Sequence, residues 1–166
     1  MKNIILIGMP GSGKSTAGVI LAKMLGLHFI DTDIVIQEQS GRLLQEIIDG
    51  DGPEVFKKIE ERVILNLHCH NTVIATGGSV VFSACAMEHM KSGGTSVYLR
   101  ISFDEMERRL NNITTRGIVL VAGQSLREMY NERISLYERY ADITIDCSDH
   151  DFEMVVGDII KKLEKK

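Results

Sequence analysis

Apolar positions follow two rhythms along this chain. Short apolar runs of four to seven residues alternate with longer stretches in which apolar residues recur every three or four positions. The first run, Asn3–Gly8 ("NIILIG"), has no polar interruption and predicts a strand buried on both faces. Lys14–Gly26 carries Ala17, Ile20, Leu21, Met24 and Leu25 at helical spacing, with Gly26 as its stop. A brief strand, His28–Asp31, follows. Helical patterns then cover Leu43–Asp49 and Pro53–His70, separated by the breaker "DGDGP". The remaining segments predict a strand at Thr72–Thr76, a helix at Val81–Lys91 stopped by Gly93-Gly94, a strand at Thr95–Ile101 and a helix at Phe103–Asn112. After a loop-like stretch, 113–123, come a long helix at Gln124–Tyr140, a strand at Ile143–Asp146 and a closing helix at Phe152–Leu163. Strands alternating with helices call for an α/β domain with a parallel sheet covered on both faces. Ligands of such sheets bind beyond the carboxyl ends of the strands, which directs attention to the loops after each strand.

Composition narrows the class. At 166 residues, with no repeat or low-complexity linker, the chain is expected to form a single domain, 1–166. The net charge of -4 argues against nucleic acid as a partner. No segment approaches the about 20 apolar residues of a membrane span, and the first apolar run is too short for a secretory leader. Cys69, Cys85 and Cys147 show no pairing pattern, which suits a reducing cytoplasm. The expectation is a cytoplasmic monomer acting on a small molecule. In "LHCH", His68, Cys69 and His70 lack the i, i+4 spacing of a helical metal site.

The strongest chemical signal is Gly8-Met9-Pro10-Gly11-Ser12-Gly13-Lys14-Ser15, a full match to the phosphate-binding pattern G-x-x-x-x-G-K-[ST] between a strand and a helix. Glycines let successive backbone N–H groups turn inward, and the helix start adds a partial positive charge. Lys14 is expected at the β- and γ-phosphates and the Ser15 hydroxyl at Mg²⁺, so ATP with Mg²⁺ is the expected nucleotide. Gly11, Ser12, Gly13 and Thr16 complete the cradle.

"FIDTDI" places Asp31 and Asp33 at the end of the second strand, where extended alternation would put both on one face. One can serve the Mg²⁺ shell and the other an attacking hydroxyl, although either can instead cap a following helix. Gly77-Gly78 after a strand permits close backbone approach to a ligand, or simply a tight turn.

These motifs resemble the shikimate kinase family nearly end to end: "GMPGSGKST", "FIDTD", "GPEVFKKIEE", "VIATGGSVV", "TTRG" and "ERISLYERYADI", in the family's order. The resemblance implies a three-layer P-loop kinase fold with a five-stranded parallel sheet in the order 2-3-1-4-5. It also implies substrate-binding helices at about 33–62 and a lid at about 112–124. The implied activity is transfer of the γ-phosphoryl of ATP to the 3-hydroxyl of shikimate, in aromatic amino-acid biosynthesis. By the same resemblance Asp31 joins Ser15 at magnesium and Asp33 assists deprotonation of the acceptor. Gly77 and Gly78 would line the acceptor, and Arg133 would pair with its carboxylate. Arg116 would reach the phosphates from the lid, and Arg109 would lie on the adenine. On residue type alone, Arg133 reads equally as a solvated helix face and Arg116 as a surface residue.

Three positions depart from the family pattern. Lys57 stands for an arginine, Ser79 for a third glycine, and Gly117 for a proline in the lid. Lysine keeps charge but loses the bidentate fork; Ser79 adds a hydroxyl; glycine raises the entropy of an open lid. Lys57 and Ser79 fall on acceptor-binding positions, so a kinase for another hydroxy acid or polyol, gluconate-like, is the alternative. A nucleotide-dependent binding module is a more distant one, and the guanine-reading Asn-Lys-x-Asp pattern is missing.

Overall fold

The computed structural model describes residues 2–111 and 117–165. Five parallel strands form one sheet in the order β2-β3-β1-β4-β5. They are β1 (Asn3–Ile7), β2 (His28–Asp31), β3 (Thr72–Ala75), β4 (Gly94–Arg100) and β5 (Ile143–Asp146). β1 lies centrally, with Ile5 opposite Ile74 of β3 and Ser96 of β4, and all five of its residues are buried. A strand covered on both faces can be apolar throughout, which is why this run has no alternation.

The helices are α1 (Lys14–Leu25), α2 (Thr32–Ser40), α3 (Leu44–Asp51), α4 (Pro53–Leu65), α5 (Ala84–Ser92), α6 (Phe103–Asn111), α7 (Leu126–Tyr140) and α8 (Phe152–Glu164). Their ends follow local chemistry. α1 stops at Gly26 with φ 66°, α7 begins with a Ser125/Glu128 capping box, and α8 begins with the Asp151 carboxylate accepting from the Met154 amide.

Three expectations change. α2 has no counterpart in the apolar pattern, because its only buried positions are Thr32 and Ile36, one turn apart. The predicted Val81–Lys91 helix divides into a 3-10 turn, Val80–Phe82, and α5, because the Ser83 side chain caps the Ala86 amide and starts a new helix there. α4 ends at Leu65, five residues short of His70, where the Asn66 side chain takes the Arg62 carbonyl.

Two apolar clusters result. The main one fills both faces of the sheet. A smaller one joins Ile36 of α2, Leu44, Ile47 and Ile48 of α3, Phe56 and Val63 of α4, and Val119. It gives the α2–α4 region its own core beside the sheet, over the stretch expected to bind substrate. Among the described residues no helix is long and apolar enough to cross a membrane.

Candidate active site

The chain leaves β1 at the point where its two neighbours, β3 and β4, lie on opposite sides, so the loop 8–13 opens at the switch point of the sheet. Gly13 has φ 91°, and a Cβ there would come within 2.6 Å of Phe152 Cε1. The left-handed φ favours glycine at the turn into α1. The first turn of α1 then points its unpaired N–H groups into the cleft. The buried Lys14 ammonium donates to the carbonyls of Gly8 at 2.8 Å and Met9 at 2.9 Å, which curls the loop around it. Ser15 and Thr16 are exposed in that first turn. The Ser15 hydroxyl donates to Asp31 Oδ2 at 2.6 Å. Two hard oxygens beside a phosphate cradle suit Mg²⁺, which keeps most of its waters. Arg109, on α6, reaches across the loop. Its Nη1 donates to the Gly11 carbonyl at 3.0 Å, and its Nε donates to Glu105 Oε1 at 2.5 Å.

A cleft of about 700 Å³ runs from this loop to the α2–α4 region, lined among others by Gly13, Lys14, Ser15, Asp33, Thr76, Gly78 and Gly117. The expectation that Asp31 and Asp33 alternate on an extended segment is corrected. The strand ends at Asp31, whose Oδ1 accepts from the Asp33 amide at 3.0 Å and caps α2, so Asp33 is helical. The cap and the Ser15 contact use different oxygens of Asp31. Asp33 instead faces the cleft from the first turn of α2.

The β3 loop is pinned from both sides. The Gly77 amide donates to Thr32 Oγ1 at 3.2 Å, and the Tyr137 hydroxyl donates to the Gly78 carbonyl at 2.5 Å. A Cβ on Gly77 would overlap Glu60 Oε1 and lie 2.9 Å from Asp33 Oδ1, so two carboxyl groups close over this glycine. Arg133 is not on a solvated face. It is 2% exposed, on the same stripe of α7 as Met129 and Tyr137, and its Nη2 donates to the Val119 carbonyl at 2.6 Å. Arg133 and Asp33 line one small cavity of about 20 Å³ at the inner end of the cleft.

Lys57 and Ser79 part company. Lys57 Nζ pairs with Glu54 at 3.0 Å and lies 4.7 Å from the centre of the Phe82 ring. Arg133 approaches that ring at 5.4 Å, so both cations lie against Phe82. Lys57 is not among the residues lining the inner cavity, whereas Ser79 is. The Ser79 hydroxyl donates to Glu60 Oε2 at 2.5 Å. Gly117 sits where a Cβ would come within 2.6 Å of Leu44 Cβ, a steric reason for glycine distinct from flexibility. Arg116, with the rest of 112–116, lies outside the described residues.

Glu60 is the site residue that the sequence reading missed. The signal was present: it falls four residues from both Phe56 and Ile64, on the buried face of α4. Burial pushes its carboxyl group up from 4.5 to about 7; the Ser79 hydrogen bond and the charges of Arg133 and Lys14 act downward, and the charge of Asp33 acts upward. Between those values the folded protein holds a proton that the unfolded chain has released. Stability therefore falls as pH rises from 4.5 to 7, by about 3 kcal/mol for a shift of this size. Urea unfolding at pH 5 and pH 7.5 is expected to show that difference between wild type and Glu60→Gln, with the variant gaining relative stability at the higher pH.

A parallel sheet in the order 2-3-1-4-5, a glycine-rich phosphate loop at its switch point, and an adjoining pocket with an aspartate and a buried arginine define a P-loop small-molecule kinase. The sequence model of the shikimate kinase family matches residues 10–164. A shikimate kinase of Mycobacterium avium is 42% identical over 164 residues, covering 96% of this chain and 92% of that protein. The solved shikimate kinase of Acinetobacter baumannii, in complex with shikimate, superposes with a TM-score of 0.92 at 29% identity, covering 99% of this chain and 94% of that one. That of Aquifex aeolicus gives 0.84 at 32% identity, covering 98% and 96%. The chain belongs to the shikimate kinase family.

Proposed function

We propose that this protein transfers the γ-phosphoryl of ATP to the 3-hydroxyl of shikimate. The observation that supports this most directly is a cleft with Lys14 and Ser15 at one end and Asp33 and Gly78 toward the other, beside an inner cavity lined by Arg133. Such a cleft holds a triphosphate and a hydroxylated carboxylic acid side by side.

The backbone amides of the loop and the Lys14 ammonium would hold the β- and γ-phosphates, and Arg109 would cover the nucleotide from α6. Ser15 and Asp31 would hold Mg²⁺, which when bound neutralises charge building on the phosphate oxygens. Asp33 would accept the hydrogen bond of the attacking hydroxyl and take its proton as the bond to phosphorus forms. Arg133 would present its guanidinium to the acceptor carboxylate. Gly77, Gly78 and Ser79 would form the wall beside it, and Lys57 would add charge next to Phe82. The lid, about 112–124 with Arg116, would close over the phosphates and exclude water. Residues 33–62 would be the substrate-binding region of a single domain. We also assign the working enzyme as a cytoplasmic monomer with no nucleic-acid or membrane partner, in keeping with its net charge of -4.

A coupled ADP-release assay with shikimate and gluconate tests the acceptor. Shikimate is expected to give the higher kcat/KM by at least tenfold, and gluconate preference would reassign the substrate. Arg133→Lys is expected to raise the KM for shikimate by about 10–100-fold with kcat changed much less, because a point charge replaces a bidentate fork. An unchanged KM would remove Arg133 from the carboxylate site.

A further inference from the structure

We propose that Glu60 is a specificity-determining residue of the acceptor pocket, that its protonated form admits an anionic acceptor, and that Ser79 tunes this switch. The inference rests on the acceptor being a carboxylate held by Arg133.

The geometry is unusual for a buried acid. Glu60 is 2% exposed, and among the described residues no cation is bonded to it. One oxygen, Oε2, is taken by the Ser79 hydroxyl at 2.5 Å. The other, Oε1, is buried, has no hydrogen-bond partner among the described residues, and stands over Gly77, as Asp33 Oδ1 does. Arg133 Nε, in the same cavity, is likewise buried without a partner among the described residues. An unsatisfied acid and an unsatisfied face of a cation therefore share one small space. A buried polar atom left in this way costs stability unless a ligand or a proton completes it.

The surrounding charges decide how. Asp33 approaches from α2, Arg133 from α7 and Lys14 from the phosphate loop. Among the described residues, the segment after α6 contributes Gly117 and Val119 to the cavity. On α4 itself, Lys57 is tied to Glu54, and Glu61 accepts a hydrogen bond from Ser83 next to α5. Among the described residues, an ionised Glu60 and Asp33 face Arg133 and Lys14, and an acceptor carboxylate would add a third negative charge. With Glu60 protonated, Arg133 is free of that competition, and Oε1 can become a donor toward Asp33 or an acceptor hydroxyl. Burial holds the Glu60 proton into the neutral range. Above that range, binding proceeds as ionised enzyme plus acceptor anion plus one proton from solvent, giving the protonated complex. No bond other than that O–H forms. Ser79 stabilises the ionised form, so its hydroxyl lowers the pH at which proton uptake begins.

Shikimate KM measured from pH 5.5 to 9 at saturating ATP and Mg²⁺ tests this. Wild type is expected to show a KM rising toward tenfold per pH unit above neutrality. Glu60→Gln is expected to flatten the profile, and Ser79→Ala to displace the rise to higher pH. Calorimetry of shikimate binding to wild type and Ser79→Ala, in two buffers of different ionisation enthalpy, is expected to show uptake of up to one proton above neutrality and none at pH 5.5. This readout holds even if Glu60→Gln fails to fold. Turnover with a flat wild-type profile and no proton uptake would overturn the proposal alone. Absence of shikimate turnover at every pH would overturn the acceptor assignment and this proposal with it.

Discussion

Lys14→Ala is expected to lower kcat by about 10³-fold or more, the loss of a charged donor at the transferring phosphoryl group. The ammonium is buried at the centre of the phosphate loop and bonds the Gly8 and Met9 carbonyls. It therefore has two separable jobs. Holding the loop is worth about 1–3 kcal/mol, since its removal orphans two carbonyls in a partly buried turn. That part appears as a lower unfolding temperature and weaker ADP binding. Neutralising the phosphoryl charge appears only in turnover, because charge on the phosphate oxygens shifts along the reaction. ADP-release kinetics at saturating shikimate, together with ADP affinity by calorimetry, separate the two. A variant with kcat within tenfold of wild type would remove Lys14 from the transferring group.

Asp33→Asn is expected to lower kcat by about 10²–10⁴-fold while ATP affinity stays within about twofold, the range for a lost general base. The separation follows from position. Asp33 lines both the cleft and the inner cavity from the first turn of α2, whereas the cap and the Ser15 contact belong to Asp31. Asn keeps the shape and removes the proton acceptor. Single-turnover rates with preloaded ATP isolate the chemical step. A variant that turns over normally would show that the hydroxyl loses its proton elsewhere. Glu60, whose Oε1 stands over Gly77 as Asp33 Oδ1 does, would then be the next residue to test.

The nucleotide half of this site was legible because its signal is local. Eight consecutive residues, with a buried strand before them and a helix after, specify an amide-lined turn whatever the rest of the chain does. For the acceptor half, residue chemistry singled out Asp33 and the Gly77-Gly78 turn, while Arg133 and Lys57 came only from family resemblance; Asp33, Gly77, Gly78 and Arg133 line the inner cavity. The structure then turned Lys57 aside to Glu54 and Phe82 and brought in Glu60. No periodic pattern marks α2, since a nine-residue helix that buries two residues leaves almost no apolar stripe.

The sequence by itself determined the alternation of strands and helices, the phosphate cradle and the acidic end of β2, all of which depend on residues within one turn or one strand of each other. Only the tertiary structure decided that Asp33, Glu60, Ser79 and Arg133, drawn from α2, α4, the β3 loop and α7, share one cavity. It also decided which of them are paired. Those relations come from the packing of apolar faces far apart in the chain, where the fit of whole helices against the sheet, and not local preference, sets which polar groups meet and how much water they keep.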